Sequence, residues 1–206
     1  MRRIAVASHT TDAAAGVPWN MAPTPDTSPR STVVALVGAE SDTLLSGLSD
    51  VPALAALSLR ETDPAVATRR MAAVSSPYLV HDADPLEHVA AAWVELFEER
   101  ATLGTLEVEV ETLLSLFAAG DAVMPDYYVV VGPEAIEGTW RHWWLGALAH
   151  HAPARVLPVE ASGTALRARL RALPTSRPWP EPEAWLPRVH FDIPDRVGLH
   201  DQPGAA

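Results

Sequence analysis

Two short stretches of the chain concentrate side chains that can bind metals or anions or transfer protons. The first is HDADPLEH, residues 81–88, which supplies His81, Asp82, Asp84 and His88. Carboxylate and imidazole groups are ligands that Mg²⁺, Mn²⁺ and Zn²⁺ accept. A divalent metal held there can activate a water molecule against a phosphate or an ester. This stretch therefore supports the hypothesis of a metal-dependent hydrolase or phosphoesterase.

The same acidic residues also have a structural explanation. Asp84 stands directly before Pro85, and Glu87 follows three residues after Asp84. An aspartate N-cap, a proline at the first helical position and a glutamate at the third form a capping box. The zinc-protease spacing H-E-x-x-H is absent. The spacing therefore predicts a helix start at least as well as a metal site.

The second stretch is GTWRHWWLGALAHHAP, residues 138–153, which contains three of the seven tryptophans. Trp140, Trp143 and Trp144 begin an apolar series that continues at positions 147 and 148, with the spacing of one helix face. We therefore predict a helix whose tryptophans are buried in the core, with Thr139 as its N-cap.

Arg141 and His142 fall in the first turn of this predicted helix, where positive charge opposes the helix dipole. One hypothesis is a surface ion pair between Arg141 and Glu134 or Glu137. The other is that the free N–H groups of residues 139–142, with Arg141 as a clamp, bind a small anion.

In an open parallel sheet, ligands bind where the loops at the carboxyl ends of the strands converge. Four such loops are predicted, at residues 38–42, 81–85, 132–139 and 160–164. The candidate ligand-binding residues on and beside them are Arg141, Thr139, His142, Glu134, Ser41 and Ser162.

The elements that must position these residues follow from short apolar runs that alternate with helical patterns. The runs are residues 3–8, 31–38, 77–80, 127–132 and 155–159, with a weaker run at 56–60. Asp63-Pro64 marks a helix start in the same way as Asp84-Pro85. Alternating strands and helices predict an α/β fold, a Rossmann-like three-layer sandwich with a mainly parallel sheet.

The segment between residues 84 and 117 is ambiguous. Its apolar residues follow a near-heptad spacing, which predicts one long helix of about thirty residues or two helices broken at Gly104. The run LEVEVE, residues 106–111, also fits the alternation of a strand. We favour the helix because the spacing continues on both sides of Gly104.

We expect a single α/β domain over residues 1–173, with a surface loop at 16–31. Residues 174–206 are rich in proline and are expected to pack on the domain as an extended C-terminal extension. Within it, RVHFDI predicts an edge strand that turns Val189, Phe191 and Ile193 inward.

Composition limits the functional classes. The 206 residues include no cysteine and no lysine, and the net charge is −11. These counts exclude cysteine nucleophiles, Schiff-base lysines and the lysine of a phosphate-binding P-loop, and they argue against nucleic acid as a partner. The arginines at 167, 169 and 171 are explained as the solvated face of a helix. The fingerprints G-x-G-x-x-G and G-x-S-x-G are also absent.

No apolar run is long enough to span a membrane or to serve as a secretory signal, so we expect a cytoplasmic protein without a membrane partner. The favoured hypothesis is a non-catalytic binding or interaction protein. It would bind a small anionic ligand at the strand-end loops, or a protein partner or second copy along the helix at 84–117. The metal-dependent hydrolase and a structural subunit of a larger assembly are the alternatives, and whether the chain is an enzyme stays open.

Overall fold

The computed structural model describes residues 31–191, and these residues build an α/β fold around a five-stranded, all-parallel sheet. Its strand order is β2-β3-β1-β4-β5, so β1 lies at the centre. The strands are β1 (Thr32–Gly38), β2 (Leu54–Leu57), β3 (Tyr78–His81), β4 (Tyr127–Val131) and β5 (Val156–Val159). This sheet confirms the predicted class and is consistent with a Rossmann-like sandwich.

Helices cover both faces of the sheet. They are α1 (Ser41–Ser46), α2 (Pro64–Ala72), α3 (Glu87–Phe97), α4 (Leu103–Ala119), α5 (Gly138–His142), α6 (Ala149–His151), α7 (Gly163–Arg171) and α8 (Pro182–Trp185). Side chains of α1 and α7 pack on the first face, against Val34 and Leu36. The larger second face carries α2, α3 and the helical segment that begins with α5, while α4 packs against α3.

Three helices begin where a polar side chain accepts a backbone N–H. Asp63 caps α2 by accepting from Val66 N at 3.1 Å, with proline at the first helical position as predicted. Thr102 caps α4, and Ser162 caps α7 through Ala165 N at 3.1 Å. Each cap satisfies a donor that the first helical turn leaves free.

The predicted single long helix is not confirmed, because residues 84–117 contain two helices. The break lies at residues 98–102, before Gly104, which is inside α4. Glu99 adopts a left-handed backbone with φ 58°, and the N–H groups of Arg100 and Ala101 both bond to the Glu95 carbonyl. Residues 106–111 are helical, which confirms the preference for helix over strand there.

The second face also carries the tryptophan helix, defined as α5, a π-helical segment Trp143–Leu148 and α6. Trp143 and Trp144 are buried, as predicted, while Trp140 is partly buried and packs at the edge of the same core. The π-helical segment buries all six of its residues, so burial is not confined to the one helical stripe that we predicted. The helix begins at Gly138 with no side-chain cap, so the predicted capping role of Thr139 is wrong.

The last described residues form α8 and a 3-10 helix, Leu186–Phe191, rather than the predicted edge strand. Leu186 and Val189 are buried in the core of the second face, and Trp93 Nε1 donates to the Val189 carbonyl at 3.2 Å. Phe191 is 73% exposed rather than inward. In a helix, residues 186 and 189 lie on the same face, and this face is buried. In the predicted strand, residues 189 and 191 would have shared the buried face.

The predicted strand at 3–8, almost all of the predicted loop at 16–31 and Ile193 lie outside the described residues. Within residues 31–191, no helix combines the length and apolar character needed to cross a bilayer.

Candidate functional site

The strand order brings the loops after β1 and β3 side by side at the carboxyl edge of the sheet. The chain leaves β1 towards α1 on the first face, and it leaves β3 towards α3 on the second face. Two neighbouring strands whose connections diverge in this way leave a crevice between them. Such a topological switch point is the usual place for a ligand in an open parallel sheet.

A cavity of about 420 Å³ occupies this crevice, and we call it the outer cavity. One part of its wall is apolar and aromatic, and the other carries three carboxylates and one guanidinium. The lining residues are Val37, Gly38, Ala39, Arg60, Asp82, Asp84, Glu87, Ala135, Ile136, Trp140 and Trp144. The volume lies within the range typical of small-molecule pockets.

Gly38 forms part of the cavity wall at the end of β1. Its φ of 96° is in the left-handed region, and a Cβ there would lie 2.5 Å from the Val131 carbonyl oxygen. Only glycine permits this backbone and this approach. The chain can therefore turn away from β1 while the end of the strand stays close to β4.

Asp82 follows β3 directly and is buried at 4% exposure. Its carboxylate accepts from Leu59 N at 2.5 Å, Arg60 N at 3.0 Å and Ser58 Oγ at 2.9 Å. These three bonds hold the loop after β2 against the loop after β3. Asp82 therefore shapes the site and has little capacity left for a ligand.

Asp84 lies two residues further on, in the cavity wall. Its Oδ1 accepts from Tyr128 Oη at 2.8 Å and from Leu86 N at 3.0 Å. Oδ2 makes no hydrogen bond within residues 31–191. Burial of the carboxyl raises the pKa of Asp84 from 3.8 to about 7, against the two hydrogen bonds that lower it, and nearby Glu87 raises it further.

The predicted capping box around Asp84 does not form. Asp84 accepts from the N–H two residues ahead, as in an Asx turn, and α3 begins only at Glu87. The Tyr128 hydroxyl holds the same carboxylate oxygen, so the side chain joins the loop to β4. Burial, together with the charge and the hydrogen bond of Asp84, raises the pKa of Tyr128 well above 10.

Among the described residues, Arg60 is the one that brings a guanidinium to the cavity wall. It donates to Asp42 Oδ2 at 2.9 Å and to Ser41 Oγ at 2.8 Å. Its side chain is 42% exposed, so its pair with Asp42 is largely a surface ion pair. Arg60 therefore joins the loops after β1 and β2, with its charge offset by Asp42.

His81, the last residue of β3, is 1% exposed, and neither ring nitrogen has a hydrogen-bond partner of normal geometry within residues 31–191. Burial lowers the pKa of His81 to about 4, and the charge of Asp82 and the backbone at Ala83 only partly oppose this shift. The imidazole is therefore neutral at neutral pH.

The four residues predicted as metal ligands do not form a common ligand set. His81 is buried beneath the sheet edge, Asp82 is committed to backbone N–H groups, and His88 is exposed on α3. Among residues 31–191, no three histidine or acidic side chains converge as metal ligands would.

The predicted anion-binding residues are spread over several loops. Arg141 lies 3.8 Å from the Glu134 carboxylate, which is the ion pair expected as one alternative. Ser41 binds Arg60, Ser162 caps α7, and His142 is exposed. The outer cavity borders this region through Ala135, Ile136 and Trp140, with none of the six predicted residues in its lining. Anion binding at Arg141 stays a prediction.

Sequence reasoning missed Arg60, Tyr128 and Trp140 as residues of the site. Tyr128 carried a usable signal, since strand alternation places Tyr127 and Tyr128 on opposite faces. Arg60 stands at the end of a predicted strand run, where site residues are expected. Trp140 was assigned to the core, and only the tertiary arrangement shows that it also borders a cavity.

This geometry defines a parallel α/β protein with an acidic, aromatic-walled cavity at its switch point. Comparisons with protein-family models, with curated proteins and with solved structures found no match to the chain.

Proposed function

We propose that the protein binds a small organic molecule in the outer cavity. The observation that carries this proposal is the Asp84 carboxyl in the wall of the switch-point cavity. One of its oxygens accepts two hydrogen bonds, and the other has no partner among residues 31–191. Asp84 is only partly buried, so Oδ2 stays accessible from the cavity, and a ligand that donates to it gains a charge-assisted hydrogen bond.

The lining indicates the chemical class of the ligand. Trp140, Trp144 and Ile136 form an apolar wall suited to a flat or aromatic group. The charged residues of the wall are three acids and one arginine, and Asp42 offsets that arginine. An acidic wall attracts cations and repels anions. The cavity therefore favours a cationic or uncharged donor, unlike the anionic ligand expected from the sequence.

Three matched probes test this proposal: benzylamine, benzyl alcohol and benzoate. They share a ring for the indole wall and differ in the charge of the polar end. At pH 8, above the pKa of about 7, Asp84 is mostly ionised. Isothermal titration calorimetry should then find the order benzylamine, benzyl alcohol, benzoate, from tightest to weakest.

Asp84→Asn should weaken benzylamine binding by roughly 10- to 100-fold, the value of a hydrogen bond to a charged group. Asp50→Asn removes one carboxylate from an exposed turn and should change nothing. Trp140→Ala should weaken all three probes alike, because it removes the shared wall. Tightest binding of benzoate, or benzylamine binding that survives Asp84→Asn, would contradict the proposal.

A further inference from the structure

A second, smaller cavity of about 170 Å³ lies on the same face of the sheet, and we call it the inner cavity. It shares Arg60, Asp84 and Glu87 with the outer cavity. Its other lining residues are Thr62, Pro64, Ala67, Thr68, Met71, His81, Ala83, Pro85, His88, Leu116, Ala122 and Val123. Residues of α2, the end of β3 and the end of α4 thus surround it.

His81 gives this cavity a specific polar group. The side chain is buried, lines the cavity and has two ring nitrogens without hydrogen-bond partners of normal geometry within residues 31–191. The neighbouring buried Thr68 is already committed, since its hydroxyl donates to the Asp121 carbonyl at 3.0 Å. A buried polar group without a partner carries a desolvation cost that a bound polar group removes.

The remaining walls determine what can bind beside His81. Pro64, Ala67, Met71, Leu116 and Val123 offer water no hydrogen bonds from their side chains. The volume corresponds to about six molecules of liquid water, at roughly 30 Å³ each. Water beside these apolar side chains is poorly held, and its displacement by an apolar group is favourable.

A neutral imidazole carries one N–H donor and one acceptor nitrogen, and the proton can occupy either position. A hydroxyl or a primary amide both donates and accepts, so it pairs with either form. A carboxylate would lose much of its hydration beside the apolar residues of the wall, which costs more than the burial of a hydroxyl or an amide. An ammonium would lose its hydration beside the same apolar residues, and the acids Asp84 and Glu87 lie in the part of the wall that is shared with the outer cavity.

We propose that the inner cavity is a binding site for a small, mainly apolar molecule or end group that bears one uncharged hydroxyl or amide, with His81 as the residue that recognises it. This site does not depend on the function proposed for the outer cavity. Trp140 lines only the outer cavity and His81 only the inner one, so variants of these two residues separate the sites.

The probes for the test share a branched four-carbon skeleton: isobutyramide, isobutanol, isobutyrate and isobutylamine. The first measurement uses the unaltered protein at pH 6, where Asp84 is mostly protonated and His81 is neutral. Isobutyramide should shift the imidazole ¹⁵N resonances of His81 in NMR spectra, in a saturable manner. Isobutyrate and isobutylamine should leave them unchanged.

The second measurement compares variants by calorimetry. His81→Leu should weaken isobutyramide binding by about tenfold, the value of one hydrogen bond. His142→Leu changes an exposed histidine and should have no effect, and Trp140→Ala should leave isobutyramide binding intact. Unmoved His81 resonances, full binding by His81→Leu, or tighter binding of either charged probe would overturn the proposal.

Discussion

Asp84 and His81 lie three residues apart, and burial displaces the pKa of each towards its uncharged form. The pKa of Asp84 rises to about 7, and that of His81 falls to about 4. Between these values both side chains are largely neutral in the folded protein, whereas both are largely charged in the unfolded chain. Their contributions to stability therefore change with pH in opposite directions over nearly the same window.

For Asp84, the folded state binds more protons than the unfolded state between pH 4 and 7. Its contribution to the free energy of unfolding therefore falls as pH rises, by about 4 kcal/mol at most. Asp84→Asn keeps an oxygen for Tyr128 and Leu86 and removes the titration. We expect the variant to match the wild type near pH 4 and to exceed its stability at pH 8, as measured by urea unfolding. Asp50→Asn should not reproduce this gain.

For His81 the sign is reversed, because the unfolded chain binds the additional proton. Its contribution falls as pH drops from 6.5 to 4, by about 3 kcal/mol at most. His81→Leu removes this contribution and leaves that of Asp84. We therefore expect the free energy of unfolding of the variant to fall as pH rises from 4 to 7. Urea unfolding across this range measures the slope. A slope equal to that of the wild type would show that His81 does not titrate in this way.

At the scale of elements, local signals predicted most strands and several helix starts. The runs at 31–38, 127–132 and 155–159 became β1, β4 and β5, and Asp63 caps α2. The predictions failed where a contact with a distant part of the chain overrode the local sequence signal. Tyr128 engages Asp84, which the sequence had assigned to a capping box. Residues 186–191 are helical because Leu186 and Val189 enter the core of the second face.

The turn at the end of β1 provides a matched pair of glycine substitutions. Gly38→Ala forces a Cβ to within 2.5 Å of the Val131 carbonyl at a φ of 96°. We expect it to lower the free energy of unfolding by about 2–4 kcal/mol. In Gly138→Ala, the new Cβ at the start of α5 meets no atom of another element within 4 Å in the described part of the chain, so the change should be neutral or slightly stabilising. Equal effects in thermal unfolding would contradict the role given to Gly38.

Across the whole molecule, the two edges of the sheet differ. The carboxyl edge carries the outer and inner cavities, while a polar cluster around Arg155 lies at the amino edge, where it lines a further cavity of about 360 Å³. Arg155 donates to the carbonyls of Asp126, Ser176 and Arg177, and its guanidinium lies 5.0 Å from the centre of the Tyr127 ring. Asp126 in turn accepts from Val33 N at 2.8 Å. This cluster joins β1, β4 and β5 to the residues that follow α7.

Arg155→Met should therefore destabilise the protein by about 3 kcal/mol, since it removes a largely buried guanidinium together with its hydrogen bonds to three partly buried or exposed carbonyls. Hydrogen exchange should also increase at residues 174–179. Arg167→Met removes an exposed arginine that donates to the Gly47 carbonyl, and its effect should stay below about 1 kcal/mol. If the two variants lose the same stability, the cluster does not anchor this segment.

Which residues meet in the outer cavity depends on the order of the strands in the sheet, and no short stretch of sequence specifies that order. Strand order places the loop after β3 beside β1, and this order brings Asp84 to the switch point. The predicted loops at 38–42, 81–85 and 132–139 do contribute to the outer cavity, but no residue of the loop at 160–164 is among its described lining residues. Local periodicity reports which residues form a strand, whereas neighbours in a sheet are set by packing over the whole chain.

The π-helical segment at Trp143–Leu148 bears on how such a cavity could arise in evolution. A wider helical turn inside an α-helix accommodates an extra residue, and π turns recur at functional sites. Each residue of an α-helix turns the chain by about 100°. Loss of one codon within this segment would rotate Trp140, which lies upstream of it, by that angle relative to α6. The deletion of a single codon would therefore turn the Trp140 indole away from the outer cavity, and the insertion of one codon could bring it there.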